Sequence, residues 1–345
     1  MRIVICSTFV PFIDGGGRFI VEWLQEKLIE AGHAVEKIYL PFVEDPHDMF
    51  AQMVAYRLID LTGSCDRLIA VRPPSYMIRH PCKVLWFIHH FRAYYDLWNT
   101  RYCPVPDSET GRAVRSSVFA ADQATLIEAR RIFTNSRTVS DRLRLFNRIT
   151  SEVLYPPLKD PERFRCDDYG DEIVCVSRVE HHKRQHLLID ALSHTRTPVK
   201  LRLCGVSIEP TYEKELDALI ARRGLEGRVV IERRWISEEE KIERLASALA
   251  VAYVPQDEDS YGYPSLEAGH AQKAILTTTD SGGVTEFVTD SLNGFVCPAE
   301  PTALGNSMDR LFLDRSLASA MGRAAYRRIF ELGITWDNVI QKLLE

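Results

Sequence analysis

Short apolar runs recur along this chain, separated by stretches in which apolar residues return every three or four positions. The first pattern predicts buried strands and the second predicts amphipathic helices. Residues 3–6 are β-branched and apolar, and read as a buried parallel strand. A helix is expected from about Phe19 to Ala31, with Ile20, Trp23, Leu24, Leu28 and Ile29 on one side and Gly32 as its C-terminal stop. The next strand starts at His33. Residues 45–63 look helical and offer Met49, Met53, Leu58 and Leu61 for packing. Strands are expected at 66–71 and 83–88, a long helix at 113–130, a short strand at 131–134, and a helix ending near Phe146. A polar stretch, KDPERFRCDDYG at 159–170, follows two prolines and reads as a linker. The alternation then restarts. Strands are expected at 173–176, 199–204, 229–231, 248–254 and 274–277. Helices are expected after Lys183, over 211–223, over 238–248 behind a Ser237/Glu240 capping box, over 265–272, and through most of 302–345. Strand and helix in regular alternation predict an α/β protein with parallel sheets.

Length and composition divide this pattern rather than change it. The 345 residues suffice for two domains, and we place the first boundary near residue 160. Eight cysteines are scattered, and Cys6, Cys175 and Cys204 fall in or beside the strands, as reduced thiols of a cytoplasmic protein would. No Cys/His spacing suits structural zinc. No apolar run is long enough to span a membrane, and the opening MRIVICSTFV is too short for a signal peptide. Residues 1–150 carry nineteen Lys/Arg against sixteen Asp/Glu, and the rest carry 24 against 32. That balance is too mild for a nucleic-acid binder. Residues 101–150 hold nine basic against five acidic side chains. They are either a solvated helical face or a peripheral contact of the first domain with anionic lipid headgroups.

Candidate chemistry gathers where strands end. In VPQDEDSYGYPSLEA (254–268) an apolar run is followed by a glycine-containing loop and a helix start. Ligands of open α/β sheets bind outside the carboxyl ends of strands, and a helix N-terminus there suits phosphate. Asp259 sits on the loop and Glu267 within the first turns of the helix; the alternative is a solvated acidic loop. Arg178 and Lys183 follow the strand at 173–176 and precede a helix. Two cations so placed suit a diphosphate, Arg through its planar fork and Lys as a point charge; otherwise they belong to a charged surface loop with His181, His182 and Arg184. Gly15, Gly16 and Gly17 lie between the first strand and helix, and either let backbone approach a phosphate or form a flexible turn. A dinucleotide fingerprint G-x-G-x-x-G is absent. His89 directly continues the strand at 83–88, with His90 the alternate; the aromatic stretch at 91–102 can stack on sugar or pack as core.

Taken in order, these motifs resemble those of the retaining glycosyltransferases of family 4. Asp259 stands for the first glutamate of that family's paired-glutamate motif, Ser260-Tyr261-Gly262 for Gly-Phe-Gly, and Glu267-Ala268 for its end. Ser177-Arg178, four residues, then Lys183 before Leu188-Ile189-Asp190-Ala191 matches the family's basic loop, with serine replacing glycine. Gly15-Gly16, Asn135-Ser136 and Ser281–Glu286 also fit. The resemblance implies the GT-B fold: two Rossmann-like domains (1–160 and 161–325) facing across a cleft, and a C-terminal helix (326–345) returning to the first. It implies a nucleoside diphosphate sugar bound by the second domain and a saccharide or lipid-linked acceptor by the first, with transfer at retained configuration. Arg178 and Lys183 would stabilise the leaving diphosphate, helped by backbone at Gly15, Gly16, Tyr261, Gly262 and Tyr263. Glu267 would hold ribose hydroxyls, and Asp259 and His89 the donor sugar. No protein nucleophile, metal or cofactor is implied, and a role in surface polysaccharide or glycoconjugate synthesis would fit. The shortened Asp259 also prompts a rival reading as a non-catalytic nucleotide-sugar binder, and a nucleotide-sugar epimerase would share the fold.

Overall fold

The computed structural model describes residues 1–9, 15–43, 45, 47–100, 103–207 and 209–345. Parts of the glycine-loop and aromatic segments singled out above, residues 10–14 and 101–102, lie outside the described residues. The chain divides into two compact units. One comprises Met1–Pro156 with Thr335–Glu345, and the other Pro157–Ile334.

Among the described residues the first unit holds six parallel strands: β1 (Arg2–Phe9), β2 (Ala34–Pro41), β3 (Arg67–Ala70), β4 (Lys83–Phe87), β5 (Arg131–Thr134) and β6 (Glu152–Val153). Their order in the sheet is β2-β1-β3-β4-β5-β6. Helices α1 (Gly16–Glu30), α2 (Met49–Leu58), α3 (Glu109–Leu126) and α4 (Arg137–Asn147) connect them. Both faces of the central strands are covered, which is why they read as unbroken apolar runs rather than as alternation. Helix α2 departs from the sequence expectation. It is ten residues long, and its inward face is Met49, Met53 and Tyr56. Leu58 lies on the outer face with Phe50 and Val54 and is 79% exposed. Met49 and Met53 pack as expected, whereas Leu58 lies half a turn from that stripe and Tyr56 takes its place.

The second unit repeats the plan with β7 (Glu172–Val176), β8 (Lys200–Cys204), β9 (Val229–Glu232), β10 (Ala250–Ala252), β11 (Ala274–Thr278) and β12 (Gly294–Cys297). The order β12-β11-β10-β7-β8-β9 is again parallel throughout. Helices α5 (Gln185–Ser193), α6 (Pro210–Arg223), α7 (Glu238–Ala246), α8 (Tyr263–His270), α9 (Val284–Phe287), α10 (Pro301–Leu313) and α11 (Arg315–Glu331) complete it. The capping box at α7 forms as the sequence specified: Ser237 Oγ accepts from Glu240 N, and Glu240 Oε2 accepts from Ser237 N. The chain path reverses direction between β7 and β10. In sheets of this order the loops leaving those two strands diverge to opposite faces and leave a crevice between them.

Helix α12 (Trp336–Leu344) packs in the first unit. Val339 and Leu343 are buried, Arg67 donates to the Leu343 carbonyl at 2.6 Å, and Arg131 pairs with Glu345 at 2.9 Å. The returning segment therefore starts at Thr335, not 326. Residues 326–331 continue α11, whose buried Ala325 and Ile329 keep it in the second unit. The domain boundary falls after Pro156, between the two prolines. Among the described residues no helix is long and apolar enough to cross a membrane.

Candidate active site

The loop leaving β7 carries Arg178, Glu180, His182 and Lys183; the loop leaving β10 carries Tyr253, Glu258 and Asp259. The topology thus brings the cations and the acidic loop, some 75 residues apart in sequence, to one crevice. Lys183 Nζ pairs with Glu258 Oε2 and donates to Tyr253 Oη at 3.0 Å, while Tyr253 OH donates to Glu258 Oε2 at 2.8 Å. The ammonium also lies 5.4 Å from the centre of the Tyr253 ring. Burial alone would raise the Glu258 carboxyl, but the charge and hydrogen bond of Lys183, with the Tyr253 hydroxyl, hold it down to about 2. Arg178 pairs with Glu180 Oε1 at 2.7 Å, and the positive charge of Arg178 bears on the Tyr253 hydroxyl as well. Glu180 is 4% exposed at its side chain and is raised by burial despite Arg178 and Lys183.

Two glycines permit this arrangement. Gly262 has φ +69°, and a Cβ there would meet the Tyr253 ring at 2.2 Å. Gly282 has φ +60° and lies against the Glu258 backbone; Gly283 N donates to the Glu258 carbonyl at 2.8 Å. The loop at Ser281–Glu286 thus serves as a buttress for the acidic loop. Arg184, which looked like a surface charge, is 8% exposed and ties the same loops together. It donates to both oxygens of Asp280 (2.7 and 2.8 Å) and to the carbonyls of Val254 and Pro255.

Helix α8 opens at Tyr263, with Gly262 before it. Pro264 at its second position has no N–H, and Ser265 N donates to the Gly262 carbonyl at 3.1 Å, so what the start of α8 offers is the positive end of the helix dipole. Tyr261 is buried against Phe287, with ring centres 6.1 Å apart. Glu267, one turn into α8, is 5% exposed, and its Oε1 accepts from Lys241 Nζ at 2.6 Å. Lys241 also reaches Glu238 at 2.8 Å. Burial raises the Glu267 carboxyl, and Lys241 works against that rise. Asp259, the expected counterpart of the first family glutamate, is half-buried on the loop; its neighbour Glu258 is the carboxylate that meets Lys183.

In the first unit Gly15 precedes α1, and Gly16 is its first residue, three positions earlier than expected. Arg72, after β3, donates to the Thr8 carbonyl at 3.4 Å beside this start. His89 follows β4 and is half-buried. Its Nδ1 lies 2.7 Å from the His90 carbonyl, which can only accept, so the proton sits on Nδ1 and Nε2 is left as an acceptor. Burial first, then the charge of Arg72, pushes His89 down to about 3. His90 is different. It is 2% exposed, is bonded to Asn147 Oδ1 at 2.9 Å, and is packed against Phe87, Tyr95 and Phe146. That environment makes His90 a core residue and leaves His89 as the functional candidate. The aromatics at 91–98 go with His90: Phe91, Tyr94, Tyr95 and Trp98 are all core.

Sequence reasoning missed Tyr253, Glu258, Glu180 and Lys241. A carboxylate one residue before Asp259 was the available signal for Glu258. Nothing in the sequence pairs Lys241 with Glu267, which lies on the next helix. Among the described residues no three His, Cys, Asp or Glu side chains are placed to hold a metal ion.

Two doubly wound parallel sheets in one chain, the second with a cationic loop facing an acidic loop at its switch point, define the GT-B class. Solved structures show the same fold: HepE of Anabaena in complex with UDP aligns with TM-score 0.74 at 18% identity over 100% of this chain and 99% of that one. WaaG, a glycosyltransferase involved in lipopolysaccharide biosynthesis, aligns with TM-score 0.72 at 13% identity over 99% of each. A family model, glycosyl transferases group 1, matches residues 159–328, nearly all of the second unit. Human α-1,3/1,6-mannosyltransferase ALG2 is 26% identical over 296 residues, 77% of this chain and 68% of the relative. The D-inositol 3-phosphate glycosyltransferase of Xylanimonas cellulosilytica is 29% identical over 182 residues, 50% of this chain and 41% of that protein.

Proposed function

We propose that the protein is a retaining glycosyltransferase of family 4. It moves a sugar from a nucleoside diphosphate sugar to a hydroxyl of a saccharide or lipid-linked acceptor. The observation that carries this is the convergence of Arg178 and Lys183 on Tyr253 at the switch point of a group 1 unit. A leaving diphosphate gains negative charge as the glycosidic bond breaks, and fixed cations there stabilise the transition state more than the ground state. The positive end of the α8 dipole adds to this. With these two cations facing the leaving group, the reaction is proposed to run without a metal or cofactor. Glu267 accepts from the ribose hydroxyls, Asp259 from the sugar, and His89 serves the transferred sugar as a neutral hydrogen-bonding imidazole. The first unit takes the acceptor, and its basic stretch at 101–150 provides peripheral contact with a membrane at the cytoplasmic face. Surface polysaccharide or glycoconjugate synthesis is the proposed setting. HepE binds UDP, and ALG2 is a mannosyltransferase; both support a nucleoside diphosphate sugar donor here.

A thermal-shift panel of UDP, GDP, ADP, dTDP and NAD on wild type and Glu267→Ala tests the donor site. A ligand at 100 times its dissociation constant stabilises by ~2.7 kcal/mol. One nucleoside diphosphate should raise the melting temperature, and the variant should lose that rise. A shift by NAD alone would overturn the reading. With the donor known, Arg178→Ala should cost ~10²–10³ in rate with the fold intact. EDTA should leave the rate unchanged, and product NMR should show the donor's anomeric configuration.

A further inference from the structure

The cationic loop does not carry a surplus of positive charge. Arg178 is matched by Glu180 and Lys183 by Glu258, so the four side chains sum to zero. A diphosphate entering this site must share or replace one of these internal counter-ions, because two anions on one ammonium repel each other at close range.

The two acids differ in their freedom to yield. The Glu180 side chain is 4% exposed, whereas that of Glu258 is 21% exposed. The backbone of Glu258 is fixed, by the Gly283 N–H at 2.8 Å and by a bridge to Gly282. Its carboxylate, at the end of three rotatable bonds, is not otherwise fastened than by Lys183 and Tyr253 among the hydrogen bonds described. The Tyr253 ring is packed against Gly262, where a Cβ would lie 2.2 Å from it.

We propose that Glu258 is a built-in competitor for the donor's diphosphate: its carboxylate holds the Lys183 ammonium and exchanges with a phosphate oxygen when the donor binds. This rests on the reading of Arg178 and Lys183 as the diphosphate site. The exchange has two effects. It weakens apparent affinity by the fraction of molecules in which Lys183 is released; a fraction of about one-tenth weakens it about tenfold. It also returns a counter-ion to Lys183 as the nucleoside diphosphate leaves, which favours product release. Glu258 is therefore a positioning residue that tunes donor affinity through Lys183.

The test is calorimetric titration of the full chain with UDP and, separately, with inorganic pyrophosphate. Wild type, Glu258→Gln, Lys183→Met and the double variant are compared, with melting temperatures as fold controls. The expected result is that Glu258→Gln binds both probes about tenfold more tightly, and that the double variant binds no better than Lys183→Met. A merely structural glutamate would weaken binding when replaced, not tighten it. Equal or weaker binding by Glu258→Gln, with Lys183→Met still weakened, overturns the competitor and leaves the diphosphate site standing. Unchanged binding by Lys183→Met overturns the site and the competitor with it. Should Glu258→Gln melt early, Glu258→Asp supplies the same comparison, since its shorter arm reaches Lys183 less well.

Discussion

A Cβ on Gly262 would lie 2.2 Å from Cε1 of Tyr253. The glycine of the acidic loop is therefore needed for a ring two strand-ends of chemistry depend on, since the Tyr253 hydroxyl bonds both Lys183 and Glu258. The backbone at Gly262, φ +69°, adds a second penalty for any L side chain. Gly262→Ala should destabilise the protein by about 2 kcal/mol or more and weaken nucleotide binding. Urea unfolding with a nucleotide titration checks both; unchanged binding would show that Tyr253 does not set the Lys183 position.

Lys241 and Glu267 form a pair that is expensive to break from one side. Glu267 is 5% exposed and already raised by burial. Lys241→Met should strand that carboxylate and cost about 3 kcal/mol, while Lys241→Met with Glu267→Gln should recover most of the loss. A double-mutant cycle in urea measures the coupling. Additive effects would mean the contact contributes nothing to stability.

Asp122 is buried on α3, accepting from Tyr76 at 2.7 Å and Tyr95 at 2.8 Å. Burial pushes its carboxyl up to about 7, against the two tyrosines that lower it. The folded protein thus keeps a proton that the unfolded chain, with an ordinary value of 3.8, gives up. The stabilisation is complete below about pH 4 and is lost as pH rises through 7. Relative to wild type, Asp122→Asn should gain about 2 kcal/mol between pH 5 and pH 8. Parallel stability curves for the two proteins would contradict the raised carboxyl.

His89 is held neutral, with its value pushed down to about 3 by burial and Arg72. It should contribute no acid limb to the pH–rate profile between 5 and 8. His89→Asn should lower the rate while leaving the shape of that profile unchanged. An acid limb near 6.5 that disappears in the variant would mean His89 works as a charged group.

The alternation of strand and helix was legible because both sheets are covered on two faces, so each central strand is a plain apolar run. The position of Arg178 and Lys183 after β7 was legible too, since residues that directly follow a buried strand leave at its carboxyl end in a doubly wound sheet. Glu258, Tyr253 and Lys241 were not, because their roles are set by partners 75, 70 and 26 residues away. Arg184 and Lys83 show the same limit from the other direction. Arg184 stands in a polar stretch and Lys83 opens an apolar strand, yet both are buried with their charge satisfied; Lys83 gives hydrogen bonds to the carbonyls of Tyr76 and Ile78 and to Glu128. Leu58 differed for a local reason: it lies half a turn from Met49, whereas Tyr56 is in phase with Met49 and Met53 and takes the inner face of α2.

The first unit is discontinuous in sequence, since α12 supplies Val339, Leu343 and the carbonyl that receives Arg67. On the ribosome, residues 1–156 emerge long before that helix exists. Their sheet must wait, with an apolar seat uncovered and Arg67 without its acceptor, while the whole second unit is synthesised. Completion of the first unit thus reports that the second has been made, and a chain interrupted after Ile334 would carry an exposed sticky surface for chaperones and proteases to find.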